Sequence, residues 1–285
     1  AAFGVLSPFS ETMRSSGTKP QSINENLPST GRKEENQMKL RMMTYNIQHG
    51  LDYNCRLPGR HPGLGHDIDL TQIAAVIRMQ GPDIVALNEV RGLGPTWEYT
   101  AQAETIAGML GWHCYFAPAI WFDGTSPYGN AILSRYPLLS AERILIPDPE
   151  VKDEDTYYET RCVLRARIAV AGGITVLVSH FGLAQSEKRN AVAKILELLE
   201  EETGPVILMG DFNMEPNDPI LAPLLAKMED AADKISSNSS SFPADNPEIK
   251  IDYILTKNAP VLCAEIPAIV ASDHRPHTAT VEVGE

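Results

Sequence analysis

The sequence predicts an α+β fold in which mixed β-sheets carry helices on their outer faces. In the first half of the chain, strand-like and helix-like segments alternate, which is typical of parallel strand pairs. In the middle, two alternating segments flank Ala171-Gly172-Gly173, and this sequence favours a β-hairpin and therefore an antiparallel pair. The chain has 285 residues, 43% of them hydrophobic, which is ample for a buried core.

Helix boundaries and apolar runs define the elements of the first half. Asp69 is a suitable N-cap, and Gly81-Pro82 ends the helix that Asp69 begins. The apolar run that follows predicts a buried strand with Glu89 at its end. The predicted elements, in chain order, are a strand at 40–47, a polar loop at 49–66, a helix at 70–80, a strand at 83–90, a helix at 98–110 and strands at 112–116 and 129–133.

The second half continues with strands and two further helices. Ser186 can cap a helix with an apolar inner face, and Gly204-Pro205 breaks that helix before a continuous apolar strand. The predicted elements are strands at 162–170 and 174–179, a helix at 186–201, a strand at 206–209, a helix at 219–228, a Ser/Asn-rich loop at 235–248 and strands at 249–256 and 277–283.

Composition narrows the classes of function. The 37 acidic residues outnumber the 24 basic ones, and the formal charge of -13 opposes general attraction to a nucleic-acid backbone. No apolar run reaches the roughly 18 residues that a membrane-spanning helix needs. No intact secretory signal is visible either. We therefore expect a monomer without a transmembrane segment, with the cytoplasm favoured and secretion as the alternative if a signal peptide has been removed.

Three features outside the main pattern carry weaker information. Residues 1–37 are rich in Ser, Gly, Pro, Asn and charge, which predicts a flexible N-terminal tail or leader ahead of a domain at 38–285. The four cysteines are widely scattered, which favours unpaired thiols. His49, His61 and His66 share one loop, but their irregular spacing favours a site rim or plain surface over a metal site.

Polar side chains that suit attack of water on a phosphoester gather at strand ends in the last third of the chain. Asp211 and Asn213 follow an apolar strand, and their spacing in an extended segment directs both to one side, where they can flank one water or phosphate. His274 can donate to a phosphate oxygen if a carboxylate keeps it charged. Asp252, on a neighbouring strand, is the candidate for that carboxylate.

A divalent metal ion would complete this chemistry. Mg²⁺ neutralises phosphate charge and stabilises a leaving oxygen, and it prefers oxygen ligands while keeping several waters. Glu89, Asn46 and Asp273 supply two carboxylates and an amide oxygen, so we predict a Mg²⁺ site there, with Mn²⁺ as an alternative. Asp211 would then orient and deprotonate the attacking water.

Each motif also has a purely structural interpretation. Asp211 and Asn213, taken alone, are more typical of a turn. His180 follows an apolar run and, taken alone, is slightly more typical of a core histidine with its hydrogen bonds satisfied. Trp121-Phe122 would contact substrate or lipid if exposed and would belong to the core if buried. Asp252 is harder to dismiss, because a carboxylate within an apolar strand is costly unless it is paired.

Taken together, these motifs resemble those of the endonuclease/exonuclease/phosphatase superfamily, which is related to pancreatic deoxyribonuclease, neutral sphingomyelinase and AP endonuclease. The resemblance covers about residues 38–283, and the motifs occur in the family's order. They are Met43-Thr44-Tyr45-Asn46-Ile47, Pro82-Asp83-Ile84-Val85-Ala86-Leu87-Asn88-Glu89-Val90, Tyr128-Gly129-Asn130-Ala131-Ile132-Leu133-Ser134-Arg135-Tyr136-Pro137, Ser179-His180, Gly210-Asp211-Phe212-Asn213, Ile251-Asp252-Tyr253-Ile254 and Ser272-Asp273-His274.

The resemblance implies a four-layer α/β/β/α sandwich of the deoxyribonuclease I-like type, with two mixed β-sheets packed face to face, helices outside and residues 38–285 as the catalytic domain. It also implies roles for the site residues. Asn46 and Glu89 resemble the metal-side residues, Asp211 and Asn213 the water and phosphate pair, and Asp252 with Asp273-His274 the imidazole and its support.

Three further positions take their meaning from the same resemblance. His180 matches a second histidine of the nuclease-like and sphingomyelinase-like branches. Arg161 lies where related small bacterial members also have an arginine, and two roles are open for it, contact with substrate phosphate or pairing with an acid. Residue 88 is Asn where many relatives have Gln, a change that conserves hydrogen bonding.

The predicted function is Mg²⁺-dependent phosphoester hydrolysis of the phosphodiesterase or phosphatase type. The acidic charge favours a small phosphodiester, a phosphomonoester or a lipid headgroup over DNA or RNA, and a nuclease is the alternative. A noncatalytic binding module of the same fold is the second alternative. The complete set of polar site residues argues against it.

Overall fold

The computed structural model describes residues 37–53 and 68–284. Residues 1–36 of the predicted tail, together with His61 and His66, lie outside the described residues. The strands are β1 (Met38–Asn46), β2 (Ile84–Arg91), β3 (His113–Phe122), β4 (Ser126–Ser134), β5 (Leu138–Leu145), β6 (Cys162–Ile168), β7 (Ile174–Ser179), β8 (Val206–Asp211), β9 (Glu229–Asp230), β10 (Asp252–Lys257), β11 (Val261–Glu265) and β12 (His277–Val283). The α-helices are α1 (Leu70–Gln80), α2 (Gln102–Leu110), α3 (Gln185–Glu201) and α4 (Ala222–Leu225).

The strands form two sheets of six strands each. The first has the order β11-β12-β1-β2-β4-β3, and the second has the order β5-β6-β7-β8-β10-β9. Each sheet is mixed, because β1 pairs with β2 and β7 with β8 in parallel, whereas the other pairings are antiparallel.

Three apolar cores define four layers. The central core joins the two sheets, with Met42 from the first and Met209 from the second among its buried members. A second core packs α1 and α2 on the outer face of the first sheet, and a third packs α3 and α4 on the outer face of the second. The predicted α/β/β/α sandwich is therefore confirmed. Among the described residues, no helix is both long and apolar enough to cross a membrane.

The helix starts agree with the prediction where the cap is local. Asp69 accepts hydrogen bonds from Thr71 and Gln72 at the start of α1. In contrast, α3 begins at Gln185 and not after Ser186, because the carboxylate of Glu154 accepts from the N–H groups of both residues. That cap comes from a distant loop, so the local sequence did not predict it.

Two predicted helices are shorter in the structure. The helix predicted at 98–110 begins at Gln102, because a turn closed by Gly94 N–H donating to Tyr99 O at 2.8 Å occupies the preceding residues. The helix predicted at 219–228 is reduced to α4. Pro219 and Pro223 lack main-chain donors, and the segment is closed largely by i to i+3 bonds such as Leu224 N–H to Leu221 O.

The sequence also missed strands at sheet margins. Strands β5, β9 and β11 are edge strands of their sheets, where a half-exposed pattern gives a weak signal. The segment 119–122, predicted to separate two strands, instead extends β3. Asp123 and Gly124 adopt positive φ values of 51° and 71° and close a tight hairpin, so Phe122 pairs with Ser126. Cys114, Cys162 and Cys263 form no disulfide among the described residues, and Cys55 lies outside those residues.

Candidate active site

The predicted site residues converge at one edge of the sandwich. Asn46 ends β1, and Glu89 lies near the end of its parallel neighbour β2. In the second sheet, Asp211 ends β8 and pairs with Asp252, the first residue of the antiparallel β10. His180 directly follows β7, which runs parallel to β8. Strand ends from both sheets therefore bring these side chains together.

Glu89 is directed into the site by a backbone irregularity. The pairing of β2 with β4 shifts register between Leu87 and Val90, and Glu89 has a φ of 58°. Such a conformation costs on the order of 1 to 3 kcal/mol and is characteristic of functional sites. Asn46 Nδ2 donates to Oε1 at 3.0 Å and the hydroxyl of Tyr128 donates to Oε2 at 2.9 Å. Burial, together with Glu89, raises the pKa of Tyr128 well above its usual value, so the hydroxyl remains a donor.

Asn46 connects the two carboxylates of the site. Its Nδ2 also donates to Asp211 Oδ2 at 3.1 Å, while its Oδ1 accepts from the backbone N–H of Gln48 at 3.0 Å. The amide nitrogen thus faces Glu89 and Asp211, and the amide oxygen is already engaged. This arrangement makes Asn46 a bridge between the carboxylates, and its part as an oxygen ligand of the metal stays a prediction.

The main chain of Asp211 is anchored to the opposite sheet. Its N–H donates to Asn88 Oδ1 at 2.9 Å, and Asn88 Nδ2 in turn donates to Asn130 Oδ1 at 2.8 Å. The preceding Gly210 has a φ of 149°, and a Cβ there would lie 1.8 Å from the carbonyl oxygen of Ser179. Only glycine therefore lets β8 pass so close to the end of β7.

The Asp211 carboxylate is buried and held by amides. Asn213, at a φ of 50°, donates its N–H to Oδ1 at 2.9 Å. Burial raises the pKa of Asp211, although His274 and the hydrogen bonds from Asn213 and Asn46 oppose the rise. A carboxylate with a raised pKa is suited to accept a proton near neutral pH.

His274 faces Asp211 on one side and is bound by a second carboxylate. Its Nε2 lies 3.6 Å from Asp211 Oδ2, and its Nδ1 lies 2.8 Å from Asp252 Oδ2. Burial alone would lower the pKa of His274, but Asp252 and Asp211 outweigh burial and raise this pKa to about 10. Ser241 Oγ donates to the same Asp252 oxygen at 2.6 Å. His274 is therefore protonated at neutral pH.

His180 faces Asp211 from the other side and has a cation as its neighbour. Its Nε2 lies 3.6 Å from Asp211 Oδ2, and its Nδ1 lies 3.0 Å from Arg161 Nη1. Burial, Arg161 and His274 all lower the pKa of His180 well below its usual value. Because Arg161 can only donate, the neutral ring accepts at Nδ1, and we assign its proton to Nε2, which also lies 3.2 Å from the side-chain amide nitrogen of Asn213. Arg161 is itself paired with Glu159 at 2.9 Å.

A cavity of about 340 Å³ opens onto these groups. Seven of the predicted site residues line it together with four apolar ones. The eleven are Glu89, Arg161, His180, Leu183, Asp211, Asn213, Phe242, Ile249, Ile251, Asp273 and His274. Asn46 and Asp252 lie fully buried beneath this lining.

Two predicted features lie apart from the cavity. Trp121 is 42% exposed near the tip of the β3–β4 hairpin, with the guanidinium of Arg143 5.1 Å from its ring centre, and it is not among the residues that line the cavity. His49 belongs to no group of metal-ligating side chains within the described residues. Burial lowers the pKa of His49 to about 4, with Arg91 adding to the effect.

The site offers two groups of side chains that could bind a metal ion. Within the described residues, Asp211, Asp252 and His274 form a group whose ligating atoms all lie within 4.8 Å of one another. In that group, however, Asp252 and His274 are already joined by a 2.8 Å hydrogen bond. Glu89 and Asp273 offer carboxylates to the cavity and are less buried. An oxygen set of this kind suits Mg²⁺ or Mn²⁺.

Several residues that build the site carried little sequence signal. Tyr128 and Asn130 lie in a motif for which the sequence predicted no site residue, yet they hold Glu89 and Asn88. Ser241 lies in a loop that the sequence marked only by its Ser and Asn content. Glu159, two residues before Arg161, could have been found as the acid that the arginine requires.

Comparison with known proteins decides the family. The model of the Endonuclease/Exonuclease/phosphatase family matches residues 43–274, which include the site residues described above. The chain belongs to this family. Its members are phosphoester hydrolases, and the family name covers both nucleases and phosphatases. A search of curated proteins gave no significant match.

Solved structures share the fold of this family member at low sequence identity. An endonuclease/exonuclease/phosphatase from Beutenbergia cavernae is 23% identical, with 86% of this chain and 72% of that one covered and a TM-score of 0.68. A mannosyl-6-phosphatase from Bacteroides thetaiotaomicron is 14% identical, with 85% and 99% covered and a TM-score of 0.66. The human Nocturnin catalytic domain is 17% identical, with 87% and 96% covered and a TM-score of 0.62.

Proposed function

We propose that this protein is a Mg²⁺-dependent phosphoester hydrolase in which Asp211 activates the attacking water. The observation that carries the proposal is the position of Asp211 between a charged and a neutral imidazole, each 3.6 Å from the same carboxylate oxygen. Across the cavity, Glu89 and Asp273 are the residues that would hold the ion. When bound, Mg²⁺ would neutralise phosphate charge and stabilise the leaving oxygen.

The chain's own residues then have distinct tasks. As the water oxygen bonds to phosphorus and the bond from phosphorus to the leaving oxygen breaks, the Asp211 carboxylate takes a proton from the water. Protonated His274 donates to a nonbridging oxygen, where negative charge builds up in the transition state. Neutral His180 can donate its Nε2–H to another oxygen of the substrate or of the attacking water on the other side of Asp211. Asn46 and the backbone of Asn213 hold the carboxylate in place.

Arg161 and Asp252 act mainly through the two histidines. Arg161 lines the cavity while it binds Glu159 and His180, which supports both a phosphate contact and a structural pairing. Asp252 keeps His274 charged. Trp121 would contact only the part of a substrate that extends beyond the cavity.

A small substrate is favoured over a polymer. The formal charge of -13 opposes binding to a polyanion, and a cavity of about 340 Å³ is of the size that small ligands use. A phosphomonoester, a small phosphodiester or a lipid headgroup meets this requirement. A nuclease is the second candidate, because the catalytic chemistry is the same. A monomeric state and a cytoplasmic location remain predictions.

A substrate panel tests the proposal. Phosphomonoesters, phosphodiesters, sphingomyelin, plasmid DNA and RNA would be assayed with Mg²⁺ and with a chelator, using Asp211→Ala as the inactive control. We expect Mg²⁺-dependent turnover of at least one phosphoester by the wild type only. Turnover that persists in the chelator or in the variant would contradict the assigned roles. Robust cleavage of plasmid DNA at physiological salt would make nuclease activity the leading candidate.

Calorimetric titration with Mg²⁺ distinguishes a catalytic site from a noncatalytic binding module of the same fold. A catalytic site predicts specific divalent binding that is weakened by Glu89→Gln, whereas a dead scaffold predicts no such binding. Folding of the variant would be checked by circular dichroism, so that lost binding is assigned to the lost carboxylate.

A further inference from the structure

A second cavity adjoins the catalytic one. Its volume is about 510 Å³, and Asn213, Ile249 and Ile251 line both cavities. A ligand with its reacting phosphate beside Asp211 could therefore extend past Asn213 into this second space. Its size lies within the range of small-molecule sites.

Lys188 lines the second cavity and has no partner in the part of the chain that the structure describes. It lies in the first turn of α3 and is only 9% exposed. Within residues 37–53 and 68–284, its side chain makes no hydrogen bond and no ion pair. The stem of the side chain is buried, whereas its ammonium reaches solvent at the wall of the cavity, where an anion can bind to it.

Two other lysines with restricted exposure show how this chain normally treats such groups. Lys250 is 5% exposed, pairs with Asp230 at 2.9 Å and lies over the ring of Tyr253. Lys257, which is half-buried, donates to the carbonyl oxygens at the end of α3. Lys188 is distinguished by the absence of any such contact within the described chain.

Within the described residues, no acid around the second cavity forms an ion pair with Lys188. Glu215 is exposed, and Asp218 accepts from the backbone N–H of Ile220 at 2.9 Å. Glu187, the preceding residue, is occupied by the backbone N–H groups of Ala184 and Glu159. The ammonium is left for a group that residues 37–53 and 68–284 do not supply.

We infer that Lys188 forms a phosphate-binding subsite for a second phosphate of the substrate. The inference rests on the proposed function, because the first phosphate is the one hydrolysed beside Asp211. The substrate class is then a small phosphoester that carries a further phosphate group on the Asn213 side. A short oligonucleotide presents the same chemistry, and its binding is an outcome that the experiment distinguishes.

Binding to matched probes tests the subsite without turnover. Adenosine 5′-monophosphate, adenosine 3′,5′-bisphosphate and a 5′-phosphorylated adenosine dinucleotide would be titrated calorimetrically in Mg²⁺ into the otherwise intact Asp211→Asn protein. We expect the bisphosphate to bind about tenfold more tightly than the monophosphate, as one charge-assisted contact allows. Adding Lys188→Met should abolish this preference, and Lys188→Arg should retain it.

The matched control is Lys194→Met in the same background. Lys194 lies on the same helix but pairs with Glu197, so its removal should leave the preference unchanged. Lys188→Met keeps an unbranched apolar side chain close to the length of the lysine stem and breaks no pair within the described residues. The fold of the variant would be verified by thermal unfolding.

The possible results separate the two proposals. Equal binding of monophosphate and bisphosphate, or a preference that survives in Lys188→Met, would overturn the subsite. A Lys188-dependent preference for the dinucleotide over the bisphosphate would support the same phosphate subsite with an oligonucleotide as its source. Failure of the wild type to hydrolyse any phosphoester with Mg²⁺ would overturn the proposed function alone, because the binding preference is measured independently.

Discussion

The two sides of Asp211 contain the same residue type in opposite states. His274 and His180 each place Nε2 3.6 Å from Asp211 Oδ2, and both rings are buried. They differ in the group at Nδ1, which is the Asp252 carboxylate for His274 and the Arg161 guanidinium for His180. The pKa of His274 rises to about 10, while that of His180 falls well below its usual value.

The difference teaches that burial alone does not assign a histidine its role. Burial lowers the pKa of both rings, and the sign of the neighbouring charge decides which ring keeps a second proton. One side of Asp211 can therefore stabilise developing negative charge, and the other presents a neutral donor. Environments that separate the pKa values of like groups are a recurrent way to assign different tasks.

The largest expected effect comes from breaking the His274 side. Asp252→Asn removes the carboxylate that keeps His274 charged, so the ring should be mostly neutral under assay conditions. We expect kcat/KM to fall by about 10³-fold, within the range for general acid-base groups. Steady-state assays on the best substrate of the panel would measure the loss.

The control for this change is Asp233→Asn, an exposed aspartate near the same sheet. It should leave kcat/KM within about twofold of the wild type, as expected for a surface substitution. If kcat/KM of Asp252→Asn stays within tenfold of the wild type, a charged His274 is not needed for catalysis.

The next effect comes from neutralising the His180 side. The double variant Arg161→Met/Glu159→Gln removes the cation without leaving a buried carboxylate unpaired. We expect kcat to fall by roughly 10- to 100-fold, because one positioned donor is lost or misoriented. The pKa of His180, followed by NMR, should rise but stay below its usual value, since burial remains.

Arg165→Met/Glu142→Gln is the matched control, because this pair lies on adjacent strands of the same sheet and is more exposed. It should change neither kcat nor the titration of His180. An unchanged His180 pKa in the Arg161→Met/Glu159→Gln variant would show that the arginine is not what distinguishes the two histidines.

The pH dependence of kcat/KM should report both sides of the comparison. The rate should rise with pH as Asp211, whose pKa is raised by burial, loses its proton, and should fall as His274 deprotonates near pH 10. Each limb should approach a tenfold change per pH unit. In Asp252→Asn the alkaline limb should move to lower pH, because His274 loses the carboxylate that raises its pKa. If the limb does not move, the fall in rate belongs to a group other than His274.

The raised pKa of His274 also predicts how the stability of the fold depends on pH. Because the folded pKa of His274 exceeds its unfolded value of 6.5, its contribution is fully present below pH 6.5 and is lost as the pH rises through about 10. Urea unfolding should therefore show a larger deficit for His274→Gln at pH 6 than at pH 10. A deficit of equal size at both values would contradict the raised pKa.

The smallest effect is expected from Ser241→Ala, which tests how the carboxylate beside His274 is held in place. Ser241 Oγ donates to Asp252 Oδ2 at 2.6 Å and is fully buried. Its loss should lower the free energy of unfolding by about 1 to 3 kcal/mol and should reduce kcat only severalfold, because the charge of Asp252 remains. Ser240→Ala, one residue earlier and partly exposed, is the control. A collapse of activity comparable with that of Asp252→Asn would mean that the hydroxyl does more than hold the carboxylate.

Local signals made much of the fold predictable. Helix α1 was predicted from Asp69 to Gly81, because the cap, the apolar stripe and the stop all lie within one short segment. Strands β2 and β8 were predicted from continuous apolar runs, which are typical of strands buried on both faces. The shortened α2 and α4 depended on turns and caps whose partners lie outside the segment.

The chain by itself determined the family, the layered fold and the identity of the polar residues at strand ends, because periodicity and motif order are properties of sequence. Only the tertiary structure decided which group each of those residues faces. Asn88 meets the backbone of Asp211 from 123 residues away, and Lys188 lines a cavity beside Asn213 without a partner among the described residues. Hydrogen bonds and pKa shifts act over a few ångströms, so they depend on strand order and loop closure that no local pattern records.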